Sequence, residues 1–228
     1  MATASAPAPA PIAARRTRSI QLKHVLFLFY GVLILIAVYH QDLPLLTAGS
    51  PQRQRFAPVT GYLIPHGVFG ALALVLGIFQ FSTRLRQQYV WLHRLMGRIY
   101  VGSVFIAAPV AIPIVLILGP PPLVMAAIMQ SCGWLLTTAI ALYCVRTGNI
   151  QQHRQWMIRS YPFAMVFVFV RATLAIPAIE RLGLTGVVSV VWTYIALGYF
   201  VPTFIINWRA IFPPKGGVRS IAKTQGAA

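Results

Sequence analysis

Long apolar stretches separated by short polar segments dominate the pattern of the chain. Six of them approach or exceed the length at which a helix crosses a bilayer, about 20 residues. They cover residues 25–39, 59–82, 99–118, 123–145, 162–179 and 187–206. The stretches are continuously apolar, whereas a membrane-spanning strand would alternate apolar and polar residues over about 10 positions. The pattern therefore predicts an all-α polytopic membrane bundle of about six transmembrane helices.

The two ends of the chain differ from its middle. Residues 1–19 are rich in Ala, Pro and Ser and become basic, which is typical of a disordered tail. Residues 211–228 are basic and rich in Pro and Gly, and we expect a mobile tail there. A basic stretch before an apolar one is also typical of a signal peptide, but no small-x-small cleavage site follows, so an uncleaved first span is favoured. The transmembrane bundle is expected over residues 20–210.

The distribution of charged residues along the chain predicts a membrane topology rather than a nucleic-acid partner. Only 9% of the residues are charged, against about a quarter in soluble domains, so the solvent of this chain is lipid. Cytoplasmic loops collect Lys and Arg. Most of the 19 basic residues fall inside, and both acids, Asp42 and Glu180, fall outside, if the N-terminus is cytoplasmic. We therefore predict N-in/C-in insertion in a cell (inner) membrane. Both tails are then cytoplasmic, anionic lipid headgroups contact the cytoplasmic face, and no nucleic acid binds.

A basic-histidine box occurs twice, each time at the foot of an apolar stretch. The first box is residues 87–100, QQYVWLHRLMGRIY, and the second is residues 151–161, QQHRQWMIRSY. Both contain a Gln-Gln pair, a His-Arg dipeptide, a second Arg and then a Tyr. The duplication predicts a parallel pseudo-repeat of two span–loop–span units, covering roughly residues 72–115 and 136–176.

The paired His-Arg dipeptides are candidates for cofactor binding. Two imidazoles on facing helices can ligate one haem iron, as in other helix bundles, so His93 and His153 are candidate ligands of a haem b. The alternative is interfacial capping, in which these histidines, with Arg94 and Arg154, bond loop carbonyls and lipid phosphates. The sequence leaves both interpretations open.

Two ionisable residues inside apolar stretches are further candidates, because such groups are costly in a membrane. His66 follows Pro65 and precedes small residues, among them Gly70 and Gly77, that allow close approach of a helix or a flat ligand. It is either hydrogen-bonded across helices, or an axial haem ligand or proton-relay group. Arg171 is expected near mid-membrane or slightly outward. It either snorkels or contacts an anionic group of a ligand, such as a haem propionate, a quinone carbonyl or a lipid phosphate.

The motif Tyr62-x-x-Pro65-His66-Gly67, with both boxes, resembles a family of predicted bacterial membrane proteins, the domain of unknown function 2306 (DUF2306). The resemblance covers roughly residues 25–210 and implies a multi-span membrane protein without indicating a reaction. Pairing of His66 with His40 would place one haem near each face. That arrangement is similar to cytochrome b561-type haem bundles.

Three classes of function remain open. The chain is a b-type haem membrane electron-transfer protein, a small-molecule or lipid permease without a chromophore, or a structural or assembly subunit with membrane-protein partners. The apolar stretches hold no carboxylate, and the chain has no P-loop or nucleophile elbow, which disfavours carboxylate-based ion coupling, kinases and hydrolases. The leading hypothesis is a cofactor or lipid-like ligand between the second and fifth spans. His93 and His153 would contact it from the inner face, and Arg171 would neutralise its anionic group.

Overall fold

The structure, a computed structural model, describes residues 22–212, which are helical almost throughout and contain no strand. Short π-helical and 3₁₀ turns, Val38–Asp42 and Ala57–Val59, connect the first helices. The α-helices are α1 (Leu22–Ala37), α2 (Leu43–Leu46), α3 (Pro51–Arg55), α4 (Thr60–Gln80), α5 (Thr83–Gln88), α6 (Val90–Leu118), α7 (Pro121–Arg146), α8 (Ile150–Leu174), α9 (Pro177–Glu180) and α10 (Gly183–Ile211).

Six helical segments of the described residues are long and apolar enough to cross a membrane. They are Leu28–Leu46, Ala57–Gln80, Val90–Leu118, Pro121–Arg146, Ile150–Leu174 and Gly183–Ile211. The prediction of an all-α polytopic bundle is therefore confirmed. The N-in/C-in orientation stays a prediction. The tail predicted at residues 1–19 lies outside the described residues. Residues 213–228 of the second predicted tail also lie outside them, whereas residue 211 of that tail belongs to α10.

Two spans begin nine or more residues earlier than the apolar pattern predicts. Helix α6 starts at Val90 rather than at residue 99, and α8 starts at Ile150 rather than at residue 162. Asn149 caps α8 by accepting a hydrogen bond from the backbone N–H of Gln152, which satisfies a donor that a helix start leaves unpaired. Since a polar helical turn carries no apolar signal, hydropathy alone missed it. Most of each box therefore forms the first turns of a spanning helix instead of a loop.

The spans form two antiparallel pairs, α4 with α6 and α7 with α8, which are the two units predicted from the boxes. Helix α6 also packs against α7, while α10 packs on α8, and α1 contacts α4 and α8. We call the end where α5 joins α4 to α6 the box end, and the end that carries α2, α3 and α9 the opposite end.

Small and aromatic side chains fill the centre of the bundle. Tyr100 and Ala107 of α6 and Phe163 of α8 are buried, as is Trp134 of α7. Outward-facing apolar side chains are exposed, such as Phe200 of α10 at 74%. This surface suits a lipid environment, where apolar groups face outward at no cost.

Candidate functional site: a cavity between two helix pairs

A cavity of about 800 Å³ lies between the two helix pairs. Each of the four core spans, which are α4, α6, α7 and α8, contributes to the cavity wall, and α3 covers part of the opposite end. The polar side chains on the wall are Gln52, Arg55, His66, Gln130, Trp134 and Arg171. The rest of the wall is mainly apolar, and no acidic side chain lines it in the described part of the chain.

The polar side chains lie at different depths from the opposite end. Arg55 ends α3, and Arg171 lies in the last turn of α8, so both guanidinium groups are at the mouth. At a helical rise of about 1.5 Å per residue, His66 lies about 9 Å along α4 from its start. Gln130 and Trp134 lie about 14 and 20 Å along α7 from its start. The cavity therefore extends from a cationic mouth into the middle of the bundle.

Each of the two arginines at the mouth places its guanidinium over a phenylalanine ring. The Cζ atom of Arg55 lies 5.8 Å from the ring centroid of Phe56. The Cζ atom of Arg171 lies 5.5 Å from that of Phe167, and both phenylalanines line the cavity. Contact with an aromatic face stabilises a guanidinium, a group whose planar fork of N–H donors matches the geometry of carboxylates and phosphates. Arg171 lies in the last turn of α8; its depth in the membrane, near the middle or slightly outward, stays a prediction.

His66 holds α4 to α6 and also forms part of the cavity wall. Its Nδ1 lies 2.9 Å from the carbonyl oxygen of Ala107. Because a carbonyl only accepts, Nδ1 carries the hydrogen, and in the neutral ring Nε2 keeps its lone pair. His66 thus forms a hydrogen bond across helices.

Four polar cavity residues were not predicted as site residues: Gln52, Arg55, Gln130 and Trp134. The Nε2 atom of Gln130 donates to the carbonyl oxygen of Phe163 at 3.0 Å, which links α7 to α8. Trp134 lies at the floor and is buried. A single Gln or Trp within an apolar stretch belongs to no recognisable motif. The available signal was the rarity of an amide in a membrane span.

Beneath the floor, four buried residues form a closed ring of hydrogen bonds. The Nε1 atom of Trp134 donates to the Tyr100 hydroxyl at 3.2 Å. The Ser160 hydroxyl lies 2.8 Å from that of Tyr100 and 2.7 Å from that of Thr138. Thr138 donates to the carbonyl oxygen of Trp134 at 2.7 Å. Since the hydrogen of Thr138 is used there, Ser160 donates to Thr138, and Tyr100 in turn donates to Ser160. Every donor of this ring is satisfied, which buried polar groups require.

The tyrosines that end the two boxes lie together at this level. The rings of Tyr100 and Tyr161 have centroids 6.5 Å apart, and the Tyr161 hydroxyl donates to the carbonyl oxygen of Leu74 at 2.9 Å. Gly77 lies directly against the Tyr161 ring and leaves no room for a Cβ atom. Gly70, by contrast, lines the cavity, and a Cβ atom there would meet nothing within 4 Å. Gly77 therefore serves helix packing and Gly70 leaves space in the cavity.

The basic residues of the boxes lie away from the cavity, at the box end. His93, Arg94, His153 and Arg154 are not part of its wall. The Nδ1 atom of His153 lies 2.9 Å from the carbonyl oxygen of Ala141 on α7. His93 interacts electrostatically with His153, so the two boxes lie near each other.

The predicted site residues thus fall into two groups. His66 and Arg171 share the cavity, while the four box residues share the box end and do not line the cavity wall. His40 is exposed, its ring packs against Tyr39, and it does not line the cavity with His66. Residues 22–212 bring no three His, Cys, Asp or Glu side chains together in a way that could hold a metal ion.

Comparison with known proteins places this architecture in a family. The model of a family described as predicted membrane protein, DUF2306, matches residues 63–211. The chain belongs to this family. The matched range starts within α4 and ends with α10, so it covers the four core spans, both boxes and Arg171. Arg55 precedes it. The chain matches no curated protein and no solved structure.

Proposed function

We propose that this DUF2306 protein binds an amphipathic anion in the cavity between its helix pairs. The anionic group lies at the mouth between Arg55 and Arg171, and the apolar part extends towards Trp134. The observation that carries the proposal is one cavity with two guanidinium groups at its mouth and a mainly apolar wall.

Physical chemistry supports this class of ligand. A volume of about 800 Å³ lies within the range of small-molecule sites, roughly 300–1,000 Å³. Guanidinium groups match the geometry of carboxylates and phosphates. The rest of the wall, about 20 Å deep at Trp134, suits an alkyl chain. The ligand class is therefore a single-chain amphiphile with a carboxylate or phosphate head.

Of the open functional classes, a permease without a chromophore gains the most support. Transporters built from repeats hold their substrates at the interface between the repeats, and this cavity lies between two related helix pairs. On α6, Ala111 lies between Pro109 and Pro113, and Ile114 follows directly; both Ala111 and Ile114 line the cavity. With the predicted N-in/C-in orientation, the mouth faces the exterior.

The test is binding to purified protein in detergent, measured by native mass spectrometry. Oleate supplies a carboxylate head, lysophosphatidate a phosphate head, and monoolein a neutral head on a similar chain. We expect one or both anions to bind and monoolein to bind at least about tenfold more weakly, since a charge-assisted hydrogen bond contributes about 1.5 kcal/mol or more. Equal binding of all three would contradict the proposal.

Two pairs of variants locate the site. Gly70→Leu fills the cavity and should abolish binding, whereas Gly102→Leu, at an exposed position of α6 with equally open space, should not. Arg55→Gln should weaken anion binding about tenfold, whereas Arg53→Gln, on the same short helix but outside the wall, should leave it within about twofold. If both glycine variants bind like the wild type, the ligand lies elsewhere.

The haem hypothesis rests on His93 and His153, which lie near each other but away from the cavity. Neither imidazole lines the cavity, and for this reason we place the haem hypothesis second. A dithionite-reduced minus air-oxidised absorption spectrum of protein made with ample haem decides between haem binding and binding of an amphipathic anion. A sharp α-band that disappears in His93→Ala would establish the haem protein and displace ligand binding as the main function.

A further inference from the structure

Five basic side chains converge at the box end, from three helices. His93 interacts electrostatically with Arg86, Arg94 and His153, and Arg86 interacts with Arg154. The charges of the guanidinium groups repel one another, and an anion between them would relieve that repulsion. The sequence has only 2 acidic residues, and both belong to segments at the opposite end. No acidic side chain of this chain can therefore compensate the cluster.

Two buried polar atoms next to this cluster lack hydrogen-bond partners. The side chain of Gln80, at the end of α4, is only 8% exposed, and its Nε2 atom has no partner. The Nδ1 atom of His93 is also buried without a partner. Gln80 faces α6 one turn beyond His93, because its Oε1 lies 3.5 Å from the position of a Cβ atom on Gly97. Native proteins pair such groups with protein, water or an ion, so these atoms independently indicate a missing partner.

The surroundings of the cluster are those of a membrane interface. Tyr89, Trp91 and Leu92 lie between Arg86 and Arg94 in the sequence and are exposed, Trp91 by 74%. Exposed aromatic side chains beside cations are typical of the headgroup level of a bilayer. An anion that carries acyl chains satisfies both the cations and these apolar side chains, whereas a soluble anion satisfies only the cations.

From these observations we infer that the box end holds the phosphate headgroup of an anionic phospholipid, between Arg86, Arg154 and the two box histidines. The lipid supplies the negative charge that the chain lacks, and its phosphate oxygens accept hydrogen bonds from the guanidinium groups. Gln80 and His93 rearrange to donate to it or to a bound water. Burial lowers the pKa of the Arg86 guanidinium, and the charge of Arg154 lowers it further; the negative charge of a bound phosphate opposes both effects.

This lipid site is independent of the cavity, and its test uses the same purified protein with different ligands. Native mass spectrometry compares retention of phosphatidylglycerol with that of phosphatidylcholine, with and without excess inorganic phosphate. We expect preferential retention of phosphatidylglycerol that inorganic phosphate does not reverse. Equal retention of the two lipids by the wild-type protein would overturn the inference, and this comparison needs no variant. Displacement by inorganic phosphate would assign the cluster to a soluble anion and overturn the lipid headgroup.

A charge-matched pair of double variants then locates the site. Arg86→Gln/Arg154→Gln should lower phosphatidylglycerol retention about tenfold. The control, Arg84→Gln/Arg146→Gln, removes the same charge from the same end; Arg84 instead donates to the Gln88 side chain at 3.0 Å. Retention of phosphatidylglycerol by this control variant should change by less than about twofold. An equal loss in both pairs would show that diffuse charge, and not this cluster, attracts the lipid.

Discussion

Replacing Ser160 by Ala tests whether the buried ring beneath the cavity holds the two helix pairs together. Ser160 is fully buried and is the only link between the hydroxyls of Tyr100 and Thr138 within the ring. The substitution removes both hydrogen bonds and leaves the Tyr100 hydroxyl, itself 0% exposed, without its acceptor. Ser103 provides a matched control, since it is 2% exposed on α6 and its hydroxyl has no partner.

The expected magnitude follows from these contacts. Side-chain hydrogen bonds between membrane helices contribute about 0.6 kcal/mol on average and up to about 1.7 kcal/mol. A buried donor left without an acceptor costs about 1–3 kcal/mol more. We therefore expect Ser160→Ala to lower the free energy of unfolding by about 2 kcal/mol, or about thirtyfold in the equilibrium constant. Ser103→Ala removes an unpaired group and should be neutral or stabilise the protein by up to about 1 kcal/mol.

Equilibrium unfolding in mixed micelles of detergent and sodium dodecyl sulfate measures both variants under the same conditions. A second comparison uses Tyr100→Phe, which removes the same link from the other side. Because the two substitutions break one shared bond, the double variant should cost clearly less than the sum of the single ones. Equal stability of the Ser160 and Ser103 variants within about 0.5 kcal/mol, or strict additivity, would refute the closed ring.

Three further predictions concern single contacts and use the same unfolding assay. Gly77→Ala should destabilise the protein by about 1–3 kcal/mol because its Cβ atom meets the Tyr161 ring, whereas Gly70→Ala should cost less than about 1 kcal/mol; similar values would contradict the assigned packing. Gln80→Leu should stabilise delipidated protein by about 1 kcal/mol, because a buried amide nitrogen without a partner is removed, and should reduce the stabilisation by phosphatidylglycerol; a destabilised variant would indicate an existing partner. His66→Phe should cost about 1 kcal/mol through the lost bond between α4 and α6, and an unchanged stability would argue against that bond.

The spans could be predicted from the sequence because burial in lipid imposes a length and a continuous apolar character on each helix. Their ends at the boxes could not. Helix α8 continues through polar residues from Ile150 to Tyr161, where hydropathy falls although the backbone hydrogen bonds continue. Pro162 lies inside the helix rather than at its start, because a spanning helix tolerates proline where neighbouring groups satisfy the freed backbone.

Two of the six polar cavity residues could be predicted from the sequence, but their assembly into one cavity could not; Arg55 lies outside the apolar stretches and was not predicted. His66 and Arg171 were conspicuous because each is an ionisable group in an apolar stretch, and both line the cavity. Their separation from the boxes depends on how the helix pairs pack, which hydropathy does not encode. Gln130 and Trp134 belong to no motif, and their part in the cavity follows only from their position on α7 facing α8.

The box tyrosines explain why the cavity has its mouth at the opposite end. Tyr100 belongs to the first helix pair and donates to Ser160 of the second, whereas Tyr161 belongs to the second pair and donates to the carbonyl oxygen of Leu74 in the first. The two pairs thus exchange hydrogen bonds directly beneath the floor, where Leu74 and Trp134 line the cavity. If the helix pairs move while these hydrogen bonds stay intact, only the mouth between the arginines can widen or narrow. Transport through the bundle would require both tyrosines to release their acceptors together, so binding from the opposite end is the activity that this conformation supports directly.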